Sequence, residues 1–174
     1  FGTINVNRFF PENDAYPEIA MVAKRPDQRA NIGGGWHTDH SYDEEPALGS
    51  MLVARELPAT GGDTWFVNMA DAFERLPESM KRSLRTMNAV HSSKHSFGSR
   101  GASLRRLIGG EENSHSPELA DALDDVVHPV VIRHPLSGRE TLYVNPAFTI
   151  RFDGRSLLSS LPLLVVLYLH ATYP

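Results

Sequence analysis

The tripeptide His37-Thr38-Asp39, at the end of a glycine run, constrains this chain more than any other feature of its sequence. In an extended segment residues i and i+2 point to the same side, so His37 and Asp39 can reach one metal ion while Thr38 faces elsewhere. An imidazole and a carboxylate are two of the three ligands of a facial metal site, whose opposite side stays open. An ordinary surface pair has the same spacing, so the tripeptide alone does not decide between the two.

The sequence around the tripeptide adds further motifs in a fixed order. Trp36 precedes it, and Gly61-Gly62-Asp63-Thr64 follows an apolar segment. Farther along the chain lie a Lys-His-Ser-Phe stretch at 94–97, two His-Pro pairs at 128–129 and 134–135, and Leu-Tyr-Val-Asn-Pro-Ala-Phe-Thr-Ile-Arg at 142–151. Together these motifs resemble the taurine dioxygenase (TauD/TfdA) family of Fe(II)- and 2-oxoglutarate-dependent oxygenases. The resemblance extends over nearly the whole chain.

The resemblance implies roles for individual residues. His37 and Asp39 fall on the family's first two iron ligands, and Thr64 falls on a threonine that helps to hold the distal carboxylate of 2-oxoglutarate. A hydroxyl donor suits a carboxylate oxygen, although a strand threonine is the plainer interpretation of Thr64. The positions implied to bind substrate are Asn7, Ser96, Phe97 and Phe148. Core packing is the alternative for both phenylalanines.

The cofactor implied by the resemblance is Fe(II), with 2-oxoglutarate and O₂ as co-substrates and a small organic molecule as the substrate that is hydroxylated. The segment around Asn7 lacks the histidines and tyrosine with which the taurine enzyme meets a sulfonate, so we expect a small organic acid other than taurine. Two other classes of protein remain open. One is a non-enzymatic jelly-roll binding module. The other is a zinc-dependent hydrolase in which His37, Asp39 and another histidine hold a zinc ion that activates a water molecule.

The resemblance also predicts the domain organisation. Residues 1–174 correspond to one partial catalytic domain, with the family's first strands expected before Phe1. The third iron ligand, a histidine, and the arginine that clamps 2-oxoglutarate are expected after Pro174. The isolated chain is therefore expected to be weakly active or inactive. Residues 98–116, rich in glycine, serine and arginine, are expected to form a mobile lid near the substrate.

Local patterns predict an α+β fold, and the resemblance makes it a double-stranded β-helix, or jelly roll, with inserted helices and incomplete at both ends. Strands are predicted at 3–9, 47–54 and 64–68, with a hairpin formed by 126–133 and 140–144. Asn68 is predicted to cap a helix that buries Ala72, Phe73 and Leu76, and a second helix is predicted at 78–87. The apolar run 157–169 is too short to span a membrane and predicts a buried helix, capped by Ser160 with Pro162 in its first turn.

Composition narrows the class of protein a little further. The absence of cysteine excludes disulfides and cysteinyl metal sites, and it is typical of a cytoplasmic protein. A net charge of -4 offers no basic field for nucleic acid. We expect a small-molecule substrate and no nucleic-acid or membrane partner. The oligomeric state stays open, with a homo-oligomer among the options.

Overall fold

The computed structural model describes residues 2–9, 15–24, 26, 28, 31, 33–99, 103 and 117–173. Most of the predicted lid at 98–116 lies outside these residues. The strands are β1 (Asn88–His91), β2 (Val126–Pro129), β3 (Val131–Arg133), β4 (Glu140–Leu142) and β5 (Thr149–Phe152). The helices with described bounds are α1 (Met69–Glu74), α2 (Glu78–Leu84), α3 (Lys94–Phe97), α4 (Pro117–Ala122) and α5 (Leu157–Thr172).

Strand β1 is the centre of a three-stranded antiparallel sheet, with β2 on one side and β5 on the other. Its pairing with β5 shifts register between Val90 and His91, which marks a bulge at the end of the strand. Strands β3 and β4 form a separate antiparallel hairpin, which confirms the predicted pairing for residues 131–133 with 140–142. Residues 126–129, predicted as part of the same hairpin, pair with β1 instead. Antiparallel sheets combined with helices confirm the α+β class.

The main core lies between these sheets and helices α1 and α5. Helix α5 buries Leu164, Leu167 and Ala171, and α1 contributes Phe73. The strands add Phe152 to the same cluster. Burial of this apolar surface is the main source of stability for this part of the chain. No helix among the described residues is long and apolar enough to cross a membrane.

The predicted helix starts are right in one case and wrong in another. Asn68 caps α1, because its side-chain oxygen accepts hydrogen bonds from the backbone N–H groups of Ala70 and Asp71. Ser160 does not cap α5. The cap is Ser156, whose hydroxyl oxygen accepts from the backbone N–H of Ser159.

Ser160 instead lies within α5 and is completely buried. Its hydroxyl donates to the backbone oxygen of Ser156 and accepts from the backbone N–H of Phe152, so it ties the helix to β5. Pro162 lies inside the helix rather than in its first turn. The predicted cap is therefore wrong, because the hydroxyl of Ser160 bonds within α5 and to β5.

The strands predicted at 3–9, 47–54 and 64–68 are absent from the structure. A local sequence pattern indicates a preference for extended backbone, but a strand forms only when a neighbour completes its hydrogen bonds. Consecutive residues Met51, Leu52 and Val53 are 90%, 79% and 72% exposed, so neither face of that segment is covered. The helix predicted at 78–87 is also shorter, since α2 ends at Leu84.

Candidate metal and co-substrate site

The structure brings the imidazole of His37 and the carboxylate of Asp39 together, with 3.1 Å between Nε2 and Oδ1. Two ligands at right angles on one metal ion, each bonded at about 2.1 Å, lie about 3.0 Å apart. The other ring nitrogen of His37, Nδ1, donates to the backbone oxygen of Gly35 at 2.7 Å. That bond leaves Nε2 as the nitrogen with a free lone pair in the neutral ring. The donor types and their separation therefore fit two adjacent positions on a divalent ion such as Fe(II).

The electrostatics of the pair follow from the same contacts. The hydrogen bond with Asp39 raises the pKa of His37 above its usual value, against the opposing effect of partial burial. The hydrogen bond with His37 lowers the pKa of the Asp39 carboxyl, and the hydroxyl of Ser50 acts in the same direction. Ser50 donates to Asp39 Oδ2 at 2.9 Å. A proton on His37 Nε2 thus occupies the place that a metal ion would take.

Tight turns, rather than a strand, present the two side chains. Gly33 has a φ of 66°, a conformation that favours glycine. A Cβ at this position would lie 3.3 Å from Cε1 of His37, so the glycine also leaves room for the imidazole ring. After Asp39 the chain makes two turns, in which the N–H of Ser41 bonds the oxygen of Thr38 and the N–H of Asp43 bonds that of His40. This local geometry keeps both candidate ligands on the surface.

His40, next to Asp39, belongs to a separate ionic cluster. Its φ is 57°, and its Nδ1 lies 2.7 Å from Oδ2 of the buried Asp43. Arg8 donates to the other oxygen of that carboxylate, and His128 donates from Nε2 to the Asp43 backbone oxygen. A buried carboxylate is stable only when it is paired in this way. The cluster fixes the end of the turn that carries Asp39.

A buried asparagine ties the same turn to the sheet. The side-chain N–H of Asn145 donates to the hydroxyl of Ser41 at 2.9 Å, and its Oδ1 accepts from the backbone N–H of Phe148 at 2.9 Å. The backbone of Asn145 bonds to Thr149, the first residue of β5. All these groups are buried, so each polar atom needs its partner. Asn145 therefore sets the position of Phe148 relative to the turn.

Two of the predicted substrate residues, Phe97 and Phe148, belong to an aromatic cluster beside His37. Phe148 is buried, and its ring lies edge-on to His37 with 6.4 Å between the centroids. Phe97 packs 5.8 Å from Phe148, and the hydroxyl of Ser96 donates to the backbone oxygen of Ala147 at 2.6 Å. Phe9 and Tyr42 complete the cluster. Core packing and a place beside the two candidate ligands are thus compatible for both phenylalanines.

Thr64 and Asn7 are less closely connected to the pair. Thr64 is exposed, but the next two residues, Trp65 and Phe66, line a cleft of about 140 Å³ together with Trp36 and His37. Asn7 is half-buried, and its Oδ1 accepts from the backbone N–H of Phe9. The structure thus brings His37, Asp39, Phe97 and Phe148 together, places Thr64 near the cleft, and uses Asn7 in a local turn.

No third metal-binding side chain joins His37 and Asp39 within the part of the chain that the structure describes. His170 donates from Nε2 to the backbone oxygen of Ala72, and His134 accepts from the N–H of Ser137. His91, the last residue of β1, is completely buried. His115 lies outside the described residues.

A family model for the taurine catabolism dioxygenases, described as the TauD, TfdA family, matches residues 1–174. The chain belongs to the TauD/TfdA family. The family predicted from the motifs is therefore confirmed. The α-ketoglutarate-dependent 2,4-dichlorophenoxyacetate dioxygenase of Burkholderia sp. (strain RASC) is 33% identical over 185 residues, which cover 99% of this chain and 58% of that enzyme.

Solved structures agree with this assignment. A taurine dioxygenase from Burkholderia xenovorans matches with a TM-score of 0.68 at 27% identity, covering 96% of this chain and 50% of that protein. The complex of AAD-2 with Mn(II) and N-oxalylglycine matches with a TM-score of 0.64 at 30% identity, covering 80% of this chain and 50% of that protein. This TauD/TfdA chain thus spans about half the length of the relatives it matches.

Sequence reasoning missed several residues that build the site. The contacts of Ser50 with Asp39 and of Asn145 with Ser41 join residues 11 and 104 positions apart. An Asn-Pro pair predicts a turn and so could have indicated the local role of Asn145. No local pattern distinguishes Ser50 from other serines on the surface.

Proposed function

We propose that this chain carries part of the active site of an Fe(II)- and 2-oxoglutarate-dependent dioxygenase that hydroxylates a small organic acid, within a jelly-roll domain. The observation that carries the proposal is the convergence of His37 Nε2 and Asp39 Oδ1 at 3.1 Å. The 2,4-dichlorophenoxyacetate relative is named as α-ketoglutarate-dependent, the same keto acid under another name. Mn(II) in the AAD-2 complex occurs with N-oxalylglycine, an analogue of 2-oxoglutarate.

In this proposal each residue of the site binds or orients the metal ion or its co-substrate. His37 binds the ion through Nε2 and Asp39 through Oδ1, while the carbonyl of Gly35 holds the ring in the matching tautomer. When bound, Fe(II) supplies the activation of O₂ that is coupled to oxidative decarboxylation of the keto acid. The hydroxyl of Thr64 donates to the distal carboxylate of 2-oxoglutarate.

The aromatic side chains define the substrate's place. Phe148 and Phe97 present apolar rings beside His37, and Trp36 and Trp65 line the adjoining cleft. These surfaces exclude water and pack against the carbon skeleton of the substrate. Asn7, Ser96 and a lid formed by residues 98–116 remain proposed contacts. The name of the dichlorophenoxyacetate relative, an aryl ether acid, supports an organic acid as the substrate.

The test is an anaerobic titration of this chain with Fe(II) in the presence of 2-oxoglutarate. We expect the weak visible charge-transfer band that a keto acid gives when it chelates protein-bound iron. The band should disappear in His37→Ala, because that variant lacks one of two neighbouring ligands. His134→Ala is a matched control, since His134 lies outside the pair and bonds only within its own turn among the contacts described. It should keep the band.

Two outcomes would contradict the proposal. One is the absence of the band in the wild-type chain, and the other is an equal band in wild type and His37→Ala. Zn²⁺ binding that requires His37 but is unaffected by 2-oxoglutarate would favour the hydrolase instead. A chain that binds organic acids equally well without metal would favour the binding module.

A further inference from the structure

We infer that Ser50 is a positioning residue that restricts Asp39 to one metal bond by holding its second carboxylate oxygen. The inference rests on the proposed function, because it concerns the same candidate ligand. Asp39 presents Oδ1 to His37 Nε2, whereas its Oδ2 accepts the hydroxyl of Ser50 at 2.9 Å. The two oxygens of one carboxylate are thus committed to different partners.

The number of metal bonds made by Asp39 matters for a facial site. Three protein ligands on one face leave three positions for a keto acid, which occupies two, and for O₂. A carboxylate that binds through both oxygens would take one of those positions. A hydrogen bond to Oδ2 keeps this oxygen from bonding the metal. The bond forms readily, because an ionised carboxylate is a strong acceptor.

The need for such a restraint follows from the exposure of Asp39. Its side chain is 57% exposed, so packing does not fix the orientation of the carboxylate. The backbone turns after Asp39 fix the position of its Cα but leave rotation about the side-chain bonds. Ser50 is the described side chain that bonds Oδ2. It reaches the carboxylate from the exposed segment 47–54, which gives this segment a role at the site although it forms no strand there.

The experiment measures the affinity of the whole chain for Mn(II) by calorimetry, with 2-oxoglutarate present, for wild type, Ser50→Ala and Ser50→Thr. Loss of a hydrogen bond to a metal ligand typically weakens metal binding 10- to 100-fold, so we expect Ser50→Ala to raise Kd by about tenfold or more. Ser50→Thr keeps the hydroxyl and should restore the wild-type Kd. Ser83→Ala is the matched control, because Ser83 is also exposed and donates to a backbone oxygen within α2.

A second readout separates orientation from folding. The visible spectrum of bound Co(II) depends on the number of ligands, so a second oxygen bond from Asp39 in Ser50→Ala should change its shape and intensity. The thermal midpoint should stay at the wild-type value, since Ser50 is exposed.

The outcomes distinguish this inference from the function on which it rests. An unchanged Kd and an unchanged Co(II) spectrum in Ser50→Ala, with wild type binding through His37, would overturn the inference alone. Weaker Mn(II) binding by Ser50→Ala, without recovery of the wild-type Kd in Ser50→Thr, would also overturn the inference. Failure of the wild-type chain to bind Mn(II) would overturn both.

Discussion

Two histidines show how differently the two regions of this molecule are built. His91, in the sheet and helix region, is completely buried, and burial is the main cause that lowers its pKa to about 3. His37, in the site region formed by residues 33–66, is partly exposed, and its hydrogen bond with Asp39 raises its pKa. The first region is held by apolar burial around β1, α1 and α5, whereas turns and polar contacts hold the second. The main apolar core and the two candidate metal ligands thus lie in different regions.

The largest effect should come from the core of the sheet and helix region. Leu167→Ala removes a completely buried side chain of α5 and should lower the free energy of unfolding by about 2 to 5 kcal/mol. Leu158→Ala, on the same helix but 82% exposed, should change it by less than about 0.5 kcal/mol. Urea unfolding followed by circular dichroism measures both. Equal losses in the two variants would contradict the conclusion that apolar burial on α5 holds the sheet and helix region.

The next effect concerns the connection between the regions. Ser41→Ala leaves the buried side-chain N–H of Asn145 without its acceptor and should cost about 1 to 3 kcal/mol of unfolding free energy. Because the two residues bond each other, Ser41→Ala and Asn145→Ala should not be additive. A double-mutant cycle should give a coupling of about 0.5 kcal/mol or more. Strict additivity would mean that the site region is not held to the sheet through this contact.

The same division explains what the sequence could and could not predict. The cap at Asn68 and the turn that joins β3 to β4 depend on neighbours in the sequence, and both are confirmed. The pairing of residues 126–129 with β1, rather than within the hairpin, depends on the folded chain. Strand β1 was missed, because its Asn-Ala-Val-His sequence shows no alternation and ends in a buried histidine. Segment 47–54 has an apolar, strand-like composition but lacks a paired neighbour. The motif indicated the proximity of His37 and Asp39, whereas the contacts of Ser50 and Asn145 depend on the folded chain.

A smaller effect should appear as pH dependence of stability. His91 stays neutral in the folded protein below its usual pKa of 6.5, whereas the unfolded chain takes up a proton there. The contribution of His91 to stability is therefore fully present above the unfolded pKa of 6.5 and is lost as the pH falls towards about 3. Between pH 6.5 and about pH 5 the unfolding free energy should fall by about 1 to 2 kcal/mol. His91→Gln should reduce the dependence of the unfolding free energy on pH, as measured by urea unfolding at several pH values. An equally steep dependence in the variant would mean that other titratable groups cause it.

The smallest effect is expected in the site region, at Met51. This side chain is 90% exposed, so Met51→Ser removes almost no buried apolar surface and should change the free energy of unfolding by less than about 0.5 kcal/mol. Urea unfolding again provides the measurement, with Met80→Ser as the comparison, because Met80 packs against the main core and should cost more. If Met51→Ser cost as much as Met80→Ser, segment 47–54 would be covered in solution by a partner surface. Its apolar side chains would then be buried against that partner, and the two regions would differ in what covers their apolar surface.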